Sequence, residues 1–387
     1  MQCRSCGAET TLVLSLGDLP LANSLLTSPQ WHSERYPLDL MFCPSCKLGQ
    51  LADVVQPVLM FNDYPYYSSV SGPTVESAHR LASQMVFNSD ERNVELAVEI
   101  GSNDGYLLSR YKELGVSVLG IDPASGPANA AALKGIPTVQ DFFTLRLART
   151  LPKADVIHAH NVLAHVPDLN DFVAGIAEML KPDGVCVVEV PYLGDMVEKC
   201  LFDTLYHEHS YYFSIYAVVH LFYRYGMPLK RLERIPAHGG SLRLFFGKDF
   251  IHKTVMEVPD ERFDFSAMHS RVKSTRVDFQ GFLAWARHHQ RSVWGYGAAA
   301  KATIMLNYCG IDQTQIAAIA DTTPAKIGKY IPGTGIQIQT SQDWLDAAPD
   351  YTCIFAWNYE DAIRARYPEY KGQFFTPYAL PEIGVSA

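Results

Sequence analysis

The stretch Glu95-Leu-Ala-Val-Glu-Ile-Gly-Ser-Asn-Asp-Gly105 limits what this chain can fold into more than any other. It predicts a buried strand over 95–100, a turn over 101–105 and a helix from Tyr106 to Leu114 that Gly115 stops. Gly101 and Gly105, with Asn103 between them, leave the backbone at a helix N-terminus open to close approach by a ligand. A dinucleotide fingerprint needs G-x-G-x-x-G. Here the middle glycine is missing and Glu99 ends the strand, so a cationic ligand suits the turn better.

The next elements repeat this order. A second strand, 116–121, ends in Asp122, whose carboxylate can accept both hydroxyls of a ribose. A third short strand leads to Asp141 and Phe142, the acid placed for an adenine amino group and the ring for its face, unless Phe142 is simply core. A fourth, 154–159, leads to Asn161; a helix to Leu180, a Lys181-Pro-Asp-Gly184 turn and a fifth strand, 185–190, follow. Ligands in such sheets sit beyond the carboxyl ends of the strands, where Glu99, Asp122, Asp141 and Asn161 all fall. S-adenosylmethionine fits that set best, and the fold class is α/β with a class I methyltransferase Rossmann-like core.

A chain of 387 residues has room for further domains at ~100–200 residues each. Two Cys-x-x-Cys pairs near the start, Cys3/Cys6 and Cys43/Cys46, can give four thiolates to one tetrahedral Zn²⁺. Their separation of 36 residues is long for a zinc ribbon, but Gly17-Asp18, Pro20 and Pro29 suggest a looped insert. A redox pair would need its motif between a strand and a helix, which neither shows. Four thiolates leave no coordination position for water, so the zinc is structural. A net charge of −9 removes any electrostatic reason to expect nucleic acid, and no apolar run is long enough to expect a membrane span or signal peptide. Cytoplasmic residence follows as an expectation.

After the fifth strand comes Tyr206-His207-Glu208-His209, dense in groups that hold or move protons. Metal binding by the two histidines lacks a third ligand cluster, and helix capping explains only one of them. Upstream, Tyr64, Tyr66 and Tyr67 are either interdomain packing or hydroxyl donors to a polar substrate.

Together with the paired Cys-x-x-Cys motifs and EIGSNDG, the segments NVLAHV (161–166), YHEH followed by YFS, HGGSLR (238–243), WGYGAAAKA (294–302) and FAWN (355–358) resemble the sugar C-methyltransferases over nearly the whole chain. Those enzymes methylate C3 of nucleotide-linked 4-keto deoxysugars. The resemblance implies a small N-terminal zinc-binding domain (1–70), a methyltransferase domain (71–255) and a C-terminal Rossmann-like domain with a connecting helix (256–387). It implies His209 as general base beside Tyr206 and Glu208, with Asn161 and His165 lining the sugar pocket and a nucleotide-linked ketosugar as partner. Ser210 and Tyr211 depart from the leucine and small residue usual there, which bears on the sugar more than on the reaction.

The chemistry agrees: a carbon beside a ketone loses a proton before it attacks a methyl sulfonium, and a histidine with pKa near ~6.5 takes that proton at neutral pH. From Val293 a strand, Gly295-Tyr-Gly297 and a helix repeat the logic of the first turn, with Asp321 ending a second strand. That half reads as a degenerate copy that offers Lys301 to a phosphate, or as a purely structural lid; His238 joins the substrate-binding set. Two other functions fit part of the pattern: methyl transfer to another carbon, oxygen or nitrogen nucleophile, and nucleotide-sugar binding without catalysis.

Overall fold

In the computed structural model, residues 1–29, 33–55, 67–70, 72–87, 93–248 and 259–382 are described. Apolar residues spaced along β1 (Thr11–Pro20) and β2 (Arg35–Phe42) turn Leu14, Leu16, Leu19, Leu38 and Leu40 inward. These strands and β3 (Gly49–Leu51) form an antiparallel sheet that a strand from far along the chain, Tyr211–Tyr212, completes. The N-terminal unit is therefore finished by the segment that follows Tyr206-His207-Glu208-His209.

Helix α1 (Gly72–Phe87) precedes the central strand β4 (Leu96–Ile100), which α2 (Leu108–Glu113) follows. Regular helix starts two residues later than the sequence suggests, because Tyr106 and Leu107 still belong to the turn. Strands β5 (Ser117–Ile121), β6 (Thr138–Val139), β7 (Ala154–His160) and β8 (Leu180–Pro191) join β4 in parallel. Between β7 and β8, Asp168 caps α3 (Leu169–Met179) by accepting from the Asn170 and Asp171 N–H groups. The expected turn at Lys181-Pro-Asp-Gly184 is a bulge within β8. Ala154 pairs with Leu180 and Val156 with Val185, so the ladder resumes on both sides. With β9 (Tyr211–Tyr212) committed to the N-terminal sheet, β10 (Leu229–Ile235) and β11 (Ser241–Gly247) add antiparallel to β8, giving the order β10-β11-β8-β7-β4-β5-β6.

A polar row crosses this sheet underneath the turn. Tyr111 meets His158 at 2.7 Å, His158 meets His160 at 3.1 Å, and the Arg243 guanidinium donates to Glu189 at 2.5 Å. Burial pushes the pKa of both histidines down, that of His160 to about 3, so the neutral imidazoles pass hydrogen bonds along the row. Arg243 is the last residue of HGGSLR, and this pairing gives that residue a structural reason.

Helix α4 (Phe265–His288) leads into the third sheet. Strand β12 (Val293–Tyr296), helix α5 (Ala300–Cys309) and strands β13 (Ala318–Asp321), β14 (Gln337–Thr340), β15 (Tyr351–Ile354) and β16 (Gln373–Phe375) give an all-parallel sheet of order β14-β13-β12-β15-β16. This matches β6-β5-β4-β7-β8 strand for strand. The likeness reaches single hydrogen bonds. Asp122 accepts from the Asn103 and Ala124 N–H groups at 2.8 and 2.9 Å, and Asp321 accepts from those of Ala298 and Thr323, both at 2.8 Å. In the second copy, however, Lys326 Nζ stands 3.7 Å from the carboxylate and donates to the Ala298 carbonyl. Strands β14 and β16 escaped the sequence reading because one is mostly polar and the other only three residues long.

The three units share cores. Leu14, Leu38 and Leu40 pack in one cluster with Phe279, Phe282 and Ile304 of α4 and α5, while Cys3, Cys43 and Cys46 pack in another with Val98, Phe213 and Val218. Burial of such side chains contributes about 1.5–3 kcal/mol each and fixes how the units meet. No helix among the described residues is long and apolar enough to cross a membrane.

Candidate active site and metal centre

Two matching knuckles build the metal centre. In the first, Gly7 N–H donates to the Cys3 carbonyl and Cys3 N–H to that of Ala8; in the second, Lys47 N–H donates to Cys43 and Cys43 N–H to Leu48. Gly7 and Lys47 take positive φ of 78° and 60° to close these turns. The sulfurs of Cys3, Cys6, Cys43 and Cys46 all lie within 4.8 Å of one another, as four vertices around one ion with Zn–S near ~2.3 Å require. The four thiols crowd together, three of their residues buried, and a divalent metal would neutralise the thiolates.

At the carboxyl end of β4 the turn has the geometry its glycines allow. Gly101 and Gly105 have φ of 70° and 74°, and a Cβ on Gly101 would meet the Val162 side chain at 3.2 Å. Asn103, at φ 49°, donates its N–H to Asp122 and accepts the Ser68 N–H at 2.9 Å, drawing the start of the middle unit over the turn. Each Asp122 oxygen takes one backbone donor and keeps lone-pair capacity for another. Glu99 is fully buried, and neither of its oxygens has a well-formed hydrogen bond among the described residues. Burial, with Asp122 adding to it, pushes its pKa well above the usual carboxylate range against a smaller pull from Tyr106. Such a group calls for a cationic, hydrogen-bonding partner, which the amino and sulfonium groups of S-adenosylmethionine provide. Asn161, at φ 53°, has its Oδ1 buried without a hydrogen-bond partner among the described residues.

Asp141 and Phe142 behave differently from the rest of the set. Both are exposed, Phe142 at 49%, and the Asp141 carboxylate accepts the Phe142 N–H. Phe142 as a core residue is thus ruled out. Phe143 takes that place, packed edge-on against Phe172, and Phe142 is left facing outward where a flat ligand can lie on it.

The second cluster forms where the segment 206–209 passes the end of β7. Tyr206 Oη and His209 Nε2 are 2.8 Å apart with their rings 4.2 Å between centroids, and His165 stands against His209 at 4.7 Å. His165 Nδ1 meets the Glu208 carbonyl at 2.7 Å, and burial pushes its pKa down to about 4, keeping it neutral. The Glu208 carboxylate accepts the Asn23 amide at 2.6 Å; burial pushes its pKa up to about 7, and Asn23 pulls it back. His207 faces away, with Nε2 on the Tyr36 carbonyl of β2. Asn23 carries no sequence signal, since only contact across 185 residues reveals it.

A third meeting place joins motifs from distant parts of the chain. Trp357 Nε1 donates to the buried Asp203 at 2.7 Å; Lys301 Nζ donates to Asn358 and sits 4.8 Å over the Trp357 ring. Burial raises the Asp203 pKa to about 6 and lowers that of Lys301. Gly239, at φ 90°, presses on Trp357, where a Cβ would come within 2.5 Å of the ring. Gly239→Ala is expected to cost about 1–3 kcal/mol in thermal unfolding, from the φ and the contact together. The described residues include the His238 backbone in the turn Ala237–Gly239 but not its side chain, and Tyr64 and Tyr66 lie outside them. Trp357 lies inside FAWN and Asp203 three residues before Tyr206, neither with a role that sequence assigns; their pairing needs the fold.

Three family models match the chain: "Putative zinc binding domain" over residues 3–61, "Methyltransferase domain" over 78–229 and "C-methyltransferase C-terminal domain" over 236–378. C-methyltransferase NovU of Streptomyces niveus is 31% identical, with 99% of this chain and 96% of that protein covered. A ubiquinone biosynthesis O-methyltransferase of Rhodopseudomonas palustris (strain HaA2) is 30% identical over 24% of this chain and 38% of its own length. Among solved structures, magnesium protoporphyrin IX methyltransferase (ChlM) from Synechocystis PCC 6803 with bound S-adenosylmethionine covers 45% of this chain and 79% of its own, at 13% identity and a TM-score of 0.36.

Proposed function

Since the chain belongs to the S-adenosylmethionine-dependent C-methyltransferase family, we propose that its acceptor is the carbon beside the ketone of a nucleotide-linked 4-keto deoxysugar. The observation that carries this reading is the pairing of Tyr206 with His209 next to the neutral His165, beyond the strand ends where Glu99 and Asp122 lie. An oxygen or nitrogen acceptor needs at most help in losing an acidic proton, whereas a carbon acceptor needs a positioned base and a donor for the enolate oxygen.

In the proposed reaction His209 takes the proton from the carbon, and the Tyr206 hydroxyl fixes the imidazole. The buried Glu208 carboxylate favours the imidazolium that results. Asn161 and His165 line the sugar; Tyr64, Tyr66, His238 and Lys301 complete the substrate contacts. Gly101, Asn103, Gly105 and Asp122 cradle the cofactor with Glu99 at its charged end, and Asp141, Phe142 and Asn161 border its base and sugar. S-adenosylmethionine supplies an electrophilic methyl group to this site. The division at residues 70 and 255, cytoplasmic residence and a purely structural zinc belong to the same proposal.

Incubation with labelled methyl donor and a panel of 4-keto sugar nucleotides, read by mass, tests it. A gain of one methyl on carbon is expected, with solvent deuterium entering the same carbon when the donor is left out; no turnover on any sugar nucleotide overturns the acceptor. For the cofactor, Glu99→Gln removes the charge and keeps the shape. A hydrogen bond to a charged group is worth about 1.5–3 kcal/mol, so calorimetry is expected to show binding weaker by roughly ten- to a hundredfold. Unchanged affinity would remove Glu99 from the site.

A further inference from the structure

We infer that Asn23 is a positioning residue for the reaction, reaching from the N-terminal unit to hold the Glu208 carboxylate, and that the C-terminal unit fixes Asn23 in turn through the loop 21–26. The inference rests on the proposed proton transfer at His209. Asn23 itself is exposed, yet its amide donates at 2.6 Å to a carboxylate that is only 5% exposed. Both sides of Asn23 are pinned. Thr303 of α5, fully buried, donates to the Ala22 carbonyl at 2.9 Å, and Leu26 exchanges two backbone hydrogen bonds with Tyr330 at 3.0 and 2.8 Å. One route of contacts therefore runs from the C-terminal unit through loop 21–26 to Glu208, on through the Glu208 carbonyl to His165, and from His165 to the ring of His209.

An amide N–H stabilises the ionised carboxylate over the acid, and an ionised Glu208 favours the protonated imidazole that follows proton abstraction. The groups around the carboxylate bear on this. The segment that carries the carboxylate also holds Tyr206, His207 and His209, and His165 meets its backbone carbonyl. Loop 21–26, which brings Asn23, carries no charge. The Asn23 amide donates directly to the Glu208 side chain.

Protein labelled with ¹³C at the glutamate carboxyls reads the titration of Glu208 directly, with Glu208→Gln assigning the signal. Asn23→Ala is expected to raise the midpoint by about one unit, a tenfold gain in proton affinity. Asn23→Asp should raise it further, since two carboxylates that close share a proton, and Thr303→Val should raise it less. The acid limb of the methyl-transfer pH profile should move up with the midpoint while affinity for S-adenosylmethionine stays unchanged. Because Asn23 is exposed, its variants should melt close to the parent. A merely structural role would slow transfer equally at every pH, with alanine and aspartate alike. Equal midpoints in parent and variants overturn the inference, as does a raised midpoint with an unmoved acid limb. The titration needs no sugar, so a parent enzyme inert on every keto sugar would overturn the acceptor proposal separately.

Discussion

With asparagine in place of His209, methyl transfer is expected to fall by about a thousandfold, within the ~10²–10⁴ that a positioned general base contributes. Asparagine keeps a polar group near the Tyr206 hydroxyl, which stands 2.8 Å from the imidazole, but accepts no proton at neutral pH. Binding of S-adenosylmethionine should be unaffected, because Glu99, Gly101 and Asp122 lie at the end of β4, in the turn after it and just past β5. Solvent deuterium exchange at the sugar carbon separates the steps: a missing base abolishes exchange and transfer together, whereas a misplaced methyl donor leaves exchange intact. Transfer and exchange at the parental rate would show that His209 is not the base. Tyr206→Phe should fall between, since it leaves the base in place and takes away the hydroxyl that orients it and that can donate to the enolate oxygen.

Local chemistry made much of this legible in advance, and distance in sequence decided what was not. The turn after β4 could be read because strand, glycine, acid and helix lie within twenty residues and each imposes a local backbone demand; Gly101 and Gly105 indeed take positive φ. Four cysteines in two short pairs are equally local. Tyr206 and His209 stand at the two ends of one tight turn and do meet. His207 shows the limit: it shares their motif but turns to the Tyr36 carbonyl, because the neighbouring segment is recruited as a strand of the N-terminal sheet. No periodicity announces a two-residue strand. The Lys181–Gly184 bulge was concealed similarly, since Pro-Asp-Gly has turn chemistry wherever it occurs and only the ladder with β7 shows the strand continuing. Asn23, Asp203 and Trp357 gain their places through tertiary contact alone. The exposed Phe142 and buried Phe143 are adjacent, and which of the two faces the core depends on a register that composition does not fix.

Loss of the metal is expected to disable catalysis from a distance. In Cys43→Ser/Cys46→Ser protein, zinc should fall from one equivalent to none by mass spectrometry, methyl transfer should drop at least a hundredfold, and S-adenosylmethionine should still bind within threefold of the parental affinity. Structural Zn²⁺ contributes roughly 10–16 kcal/mol to the folding of small thiolate units, more than the short strands of this sheet supply alone. Its loss is transmitted by sequence and register. The second knuckle closes on Leu48, and β3 begins at the next residue, Gly49. Gly49 and Gln50 pair with Tyr212 and Tyr211 of β9, so tightly that a Cβ on Gly49 would meet that of Tyr212 at 3.0 Å. Tyr212 in turn receives the Tyr206 N–H on its hydroxyl at 3.1 Å, directly at the head of the segment that carries His209. Freed knuckles would release β3, then β9, then the pairing of Tyr206 with His209, while the turn after β4 stays inside its own sheet. A zinc-free variant that binds the cofactor and transfers methyl groups at the parental rate would break this chain of support at its first link. Loss of cofactor binding along with turnover would instead mean that the knuckles hold the whole middle sheet, through the cluster that Cys3, Cys43 and Cys46 share with Val98 and Phe213.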